Sequence, residues 1–156
     1  MKNVRFIVQA ALIAAVYVVL MLSFAPLTSG LFQLRFSEAL TILPALTPAA
    51  IPGLFVGCLL GNFLIGSTPI DVIFGSLATL TAAYISYRLR AVKWLVPIPP
   101  VLINAVVVGF ILKYLGIAPL FIAMAWVAAG QFVACYVIGY PLLTILSRYK
   151  KEIFHL

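Results

Sequence analysis

The chain has 156 residues, of which 65% are hydrophobic and only 8% charged, with a mean hydropathy of +1.24. These values exclude a water-soluble globular protein and describe one all-α integral membrane domain over residues 1–156, with room for roughly five or six spans and none for a folded extramembrane module. The net charge of +7, from 10 Lys+Arg against 3 Asp+Glu, points to nucleic acid only if the positions of the charges give no better account.

The first apolar run covers residues 4–24, well beyond the roughly 7–15 residues of a signal-peptide core, so it reads as a transmembrane helix. A polar segment marked by Pro26 and Gly30 follows over residues 25–36. Apolar runs at 37–47 and 49–65 come so close together that they read as a helical hairpin, bent or broken around Pro44, Pro48 and Pro52. A fourth span over 69–87 opens with Ser67-Thr68-Pro69-Ile70-Asp71, which supplies a cap, a proline in the first turn and an acid at the N-terminus. A fifth covers 94–115, loosened at its start by Pro97, Pro99 and Pro100. The sixth, over 120–146, carries a kink signal at Gly139 and Pro141.

Six spans place both termini and the connection between the fourth and fifth on one side of the membrane. Lys2, Arg5, Arg88, Arg90, Lys93, Arg148, Lys150 and Lys151 all fall there, which makes it the cytoplasmic side. The basic charge is thereby explained as topology, and nucleic-acid binding drops out. Arg35, Glu38, Asp71 and Lys113 remain for the external face.

Ionisable groups at membrane depth are costly, so that external set is where function is sought first. Each member also has a plain structural reading. Arg35 and Glu38, three apart, are placed to pair with each other, Asp71 to cap its helix, and Lys113 to snorkel to the headgroups. Asn62, Asn104 and Gln131 lie inside spans, where an amide either bonds a neighbouring helix or reads a ligand. Amides, a carboxylate and rings such as Phe74, Tyr84, Trp126 and Tyr136 together would suit a planar ligand rich in hydrogen-bonding groups, although each ring alone reads as packing or lipid contact. Small residues form two stripes. Ala10, Ala11, Ala14 and Ala15 mark the first helix, open to lipid, a neighbour or a partner protein, while Gly53, Gly57 and Gly61 mark the third and point to internal packing. Cys58 and Cys135 read as small apolar residues, and no phosphate loop, metalloprotease motif, serine elbow or acidic metal cluster is present. The residues therefore suggest a non-enzymatic binding or transport protein without a cofactor. A small ion-coupled carrier or channel, and a purely structural subunit, stay open as alternatives.

The stretches Gln33-Leu34-Arg35-Phe36-Ser37-Glu38-Ala39-Leu40-Thr41, Thr47-Pro48-Ala49-Ala50-Ile51-Pro52-Gly53 and Asp71-Val72-Ile73-Phe74-Gly75-Ser76, with Asn104-Ala105 and Gly139-Tyr140-Pro141-Leu142, resemble QueT, the substrate-binding S component of energy-coupling factor (ECF) transporters. The resemblance covers nearly the whole chain. It implies a six-helix S-component bundle in a prokaryotic plasma membrane that captures a small vitamin-type molecule from outside. It further implies docking through the first-helix alanines on a transmembrane coupling protein, EcfT, which carries two cytoplasmic ATPases. The implied ligands are 7-deazaguanines such as 7-aminomethyl-7-deazaguanine or queuine, with an S component for another vitamin as the runner-up. For such a ligand Glu38 would accept from the paired donors of a guanine-like edge, Asp71 would meet a cationic arm, and Asn104 and Gln131 would read ring atoms. Phe74, Tyr84 or Trp126 would stack, Arg35 and Asn62 would complete the site, and residues 25–36 would form its lid.

Overall fold

In the computed structural model, residues 2–28 and 35–149 are described, and these residues form an all-helical bundle without strands. Helix α1 spans Lys2–Ser23 and is followed by a single turn, α2, at Ala25–Thr28. A 3₁₀ helix runs over Phe36–Ala45, then α3 over Ala50–Leu64. A π-helical segment at Asp71–Gly75 passes directly into α4, Ser76–Arg88. Helix α5 is Ile98–Tyr114, preceded by a 3₁₀ turn at Lys93–Leu95. The last rod consists of α6 at Leu120–Phe132, a second π segment at Val133–Gly139, and α7 at Tyr140–Arg148.

Each of the six expected spans thus has a helical counterpart, but not of equal length. Among the described residues three helices, Asn3–Ser23, Lys93–Tyr114 and Leu120–Arg148, are long and apolar enough to cross a membrane. The segment expected over 37–47 is instead ten residues of 3₁₀ helix, about 20 Å long, and the 15-residue α3 is about 22 Å. Both fall short of the ~30 Å hydrocarbon core. The 3₁₀ form has a physical reason. Pro44 lies inside it with no amide to donate, and Ser37 to Pro44 are all buried, so the segment must thread the middle of the bundle in a slender form. It packs against α1, α3, α4 and the second π segment. Gly139 permits a close approach to the second π segment, since a Cβ there would sit 3.1 Å from the Ala39 carbonyl oxygen.

The glycines of α3 make the other tight seam. A Cβ on Gly53 would lie 2.7 Å from the Ala10 carbonyl oxygen, one on Gly57 2.8 Å from Tyr17 Cβ, and one on Gly61 2.6 Å from Met21 Sδ. Ala10, Ala14, Tyr17 and Met21 are spaced four, three and four apart, so they form one face of α1 laid against the glycines. This settles the glycine stripe as internal packing and splits the alanine stripe: Ala14 is buried in the seam and Ala10 half-buried beside it, whereas Ala11 and Ala15 face outward.

Helix ends follow their local chemistry. The Asp71 amide donates to Thr68 Oγ1 at 3.4 Å, the expected cap. Gly66 (φ 74°) and Gly116 (φ 70°) end α3 and α5 in matching left-handed turns. In each, the residue after the glycine bonds back to the helix, Ser67 to the Asn62 carbonyl and Ile117 to the Leu112 carbonyl, both at 3.0 Å. The threading parity is also visible in contacts. Arg35 meets Asp71 at one end of the bundle, and Lys93 Nζ donates to Ser147 Oγ at 3.0 Å at the other.

Candidate functional site

Glu38 occupies the first turn of the 3₁₀ helix and is 1% exposed. A carboxylate so placed requires donors, and two helices supply them. Tyr17 of α1 donates its hydroxyl to Oε1 at 2.6 Å, and Asn104 of α5 donates Nδ2 to Oε2 at 3.3 Å. Each oxygen therefore receives one bond from the protein and keeps one acceptor position. Below Glu38, Thr41 Oγ1 donates to the Glu38 carbonyl at 2.6 Å. Cys135 Sγ lies 3.6 Å from that carbonyl and 3.6 Å from Gln131 Oε1, which brings the sixth rod and Gln131 to the same place.

Arg35 and Asp71 meet one level above. Their side chains, 6% and 9% exposed, form an ion pair with Nη2 2.8 Å from Oδ2. The short-range alternative of an Arg35 pair with Glu38 is thereby overturned, because the backbone at Arg35 is extended (φ −98°, ψ 99°) and precedes the helix whose spacing that pairing needs. Asp71 likewise spends its carboxylate on Arg35, leaving the helix cap to Thr68.

Asn62 is fully buried on α3. Its Nδ2 lies 3.4 Å from Cys58 Sγ, and Thr79, whose hydroxyl donates to the Gly75 carbonyl at 3.1 Å, reaches the same sulfur at 3.4 Å. Gly75 links this group to Asp71: a Cβ there would lie 2.9 Å from Asp71 Oδ1 and 3.6 Å from Asn62 Nδ2. Among the described residues, four buried polar atoms here, Arg35 Nε, Ser37 Oγ, Asn62 Oδ1 and Asp71 Oδ1, have no hydrogen-bond partner. Leaving such a group unmet costs about 1–3 kcal/mol.

Six of the residues singled out in the sequence, Arg35, Glu38, Asn62, Asp71, Asn104 and Gln131, are thus brought together inside the bundle. The three rings proposed to stack are not. Phe74 is half-exposed in an open apolar groove of about 420 Å³ with Ile70, Val106, Phe110 and Tyr114. Tyr84 lies 13 residues beyond Asp71, about 20 Å along the helix, where its hydroxyl accepts from Arg88 Nη1 at 3.4 Å. Trp126 is also partly exposed on the outer surface. The ring that does enter the cluster is Tyr17, 0% exposed and absent from the sequence-based set. Its signal was its place on the Ala10–Ala14 face of α1. Half of the lid expected over 25–36, residues 29–34, lies outside the described residues, but Phe24, just before it, and Phe36, at its end, are in ring contact with centroids 4.5 Å apart.

Two irregular segments frame this cluster: the π turn at Asp71–Gly75 carries Asp71, and the π segment at Val133–Gly139 carries Cys135. The latter also has a local cause, since Pro141 lacks the amide that an unbroken α-helix would use to reach Val137. A second apolar groove, of about 290 Å³, opens between α1 and α3 and is lined by Phe6, Ile7, Ala10, Ala11, Ala14, Pro52, Gly53 and Val56. No group of three or more His, Cys, Asp or Glu side chains that would hold a metal occurs among the described residues.

A family model described as QueT transporter matches residues 7–148. No curated protein and no solved structure matches the chain.

Proposed function

The chain belongs to the QueT transporter family, a family of membrane transporters and not of enzymes, and from that premise we propose that it is the substrate-binding S component of an ECF-type importer for a 7-deazaguanine. It sits in a prokaryotic plasma membrane with both termini cytoplasmic. The ligand enters from the side where the Arg35–Asp71 pair lies. The observation that supports this reading best is Glu38, a buried carboxylate with one protein donor on each oxygen and one acceptor position left on each. A guanine-like edge offers two parallel donors, the ring N–H and the exocyclic amine, and a carboxylate accepts such a pair with charge assistance. Asp71 Oδ1, which has no partner among the described residues, accepts from a cationic aminomethyl arm, and Arg35 Nε donates to a ligand acceptor. Asn62, Asn104 and Gln131 read the remaining ring atoms. Phe74, Tyr84 and Trp126 belong to the membrane-facing surface.

Uptake requires an energy source that this chain does not carry. It docks through the outward-facing Ala11 and Ala15, and the groove beside Ala10, on the transmembrane coupling protein, EcfT, whose two cytoplasmic ATPases hydrolyse ATP. The test is calorimetric titration of the purified protein in detergent with 7-aminomethyl-7-deazaguanine, queuine and guanine. Saturable one-to-one binding of a deazaguanine, with guanine weaker, is expected. A folded, monodisperse sample that binds none of the three refutes the assignment.

A further inference from the structure

We infer that Tyr17 is the positioning residue that gives Glu38 its selectivity, by holding the carboxylate so that the unused acceptor position on each oxygen faces the ligand. This rests on the 7-deazaguanine reading and adds a residue and a mechanism to it. A carboxylate held at one oxygen only can turn about its Cγ–Cδ bond, and a paired contact then loses its geometry. Glu38 is held at both, by Tyr17 from α1 and Asn104 from α5. The Tyr17 bond is the shorter at 2.6 Å, against 3.3 Å for Asn104. The tyrosine is itself fixed. Its ring is fully buried, and its Cβ lies 2.8 Å from where a Cβ on Gly57 would stand, so the part of α1 that carries it is packed directly against α3. A rigid donor at that oxygen leaves room for two further donors, side by side. A ligand that presents only one leaves an acceptor position of a buried carboxylate unmet, and is discriminated against.

The experiment compares the affinity for 7-aminomethyl-7-deazaguanine with that for its analogue lacking the exocyclic amine, in the wild type, Tyr17→Phe and Gly57→Ala. Phe keeps the ring and deletes only the hydroxyl. Gly57→Ala keeps the hydroxyl and displaces the residue that carries it, and so provides the test if Tyr17→Phe does not fold. In the wild type the full ligand is preferred by about tenfold or more, the worth of one hydrogen bond to a charged group. In either variant the full ligand loses about tenfold while the analogue changes by less than about threefold, so the preference collapses. If both ligands weaken in parallel, Tyr17 is only a packing residue and the inference fails while the transport assignment stands. An unchanged preference also refutes it. If the wild type binds neither compound, the 7-deazaguanine reading falls, and this inference with it.

Discussion

Replacing Glu38 by glutamine separates what the carboxylate does for the protein from what it does for the ligand. Glutamine keeps the shape but exchanges one acceptor oxygen for an NH₂ donor. Asn104 Nδ2 can only donate, whereas the Tyr17 hydroxyl can donate or accept, so the new amide turns its NH₂ toward Tyr17 and its oxygen toward Asn104. Both internal contacts survive as neutral bonds. The loss, about 1 kcal/mol, is opposed by relief from burying a charge, and the melting temperature in detergent is expected within a few degrees of wild type. The ligand fares worse, because its two donors now face one acceptor and one donor. Losing a single charge-assisted bond corresponds to about 1.5–3 kcal/mol, or an affinity weaker by roughly 10–150-fold in equilibrium binding. Glu38→Ala is the contrasting case. It strands the Tyr17 hydroxyl and the Asn104 amide at about 1–3 kcal/mol each, and leaves a cavity. Affinity of Glu38→Gln within about twofold of wild type, in a folded protein, would remove Glu38 from the site. Unfolding of Glu38→Gln as severe as that of Glu38→Ala would refute the donor–acceptor argument.

Three further outcomes are expected. In the α3 series, Gly53→Ala and Gly57→Ala meet the α1 backbone or a Cβ and lose about 1–3 kcal/mol, whereas Gly61→Ala meets only the flexible Met21 thioether and loses little; thermal unfolding in detergent should rank them so. Asp71→Asn leaves the Arg35 guanidinium buried without its counter-charge and should cost about 3–5 kcal/mol, while the apolar double replacement Arg35→Met with Asp71→Leu recovers most of that stability; a double-mutant cycle reads the difference. Bulky side chains at Ala11 and Ala15, both outward-facing, should abolish co-purification with the coupling protein and leave ligand affinity unchanged, and an intact complex would exclude that face.

Hydrophobic run length and charge asymmetry were enough to place the six helical segments, and parity alone put Arg35, Glu38 and Asp71 at one end. The Thr68 cap and the α3 glycine seam were equally legible, because each depends on neighbours in sequence or on a single repeated residue type. Partner choice was not. Spacing put Arg35 three residues from Glu38, yet the pairs formed are Arg35 with Asp71 and Glu38 with Tyr17 and Asn104, across 36, 21 and 66 positions. The rings failed for a reason particular to membranes. In a helix that is apolar all round, composition does not distinguish a face turned to lipid from one turned inward, so Phe74, Tyr84 and Trp126 carried the same signal as the buried Tyr17. Helix form was also invisible, since the run over 37–47 has the hydrophobicity of a span and becomes 3₁₀ where Pro44 lacks an amide and other helices enclose it.

That enclosure reverses the usual ranking of local stability. A ten-residue 3₁₀ helix is a poor structure in isolation, and α1, at 22 residues, is the better helix by every intrinsic measure. Yet α1 has most of its surface turned outward, while the 3₁₀ segment is walled in from Ser37 to Pro44. Its amide hydrogens can reach solvent only when surrounding helices part, so they should outlast those of the long helices in hydrogen–deuterium exchange. The slowest clock in the molecule would then sit beneath Glu38, in the segment least able to hold its shape alone.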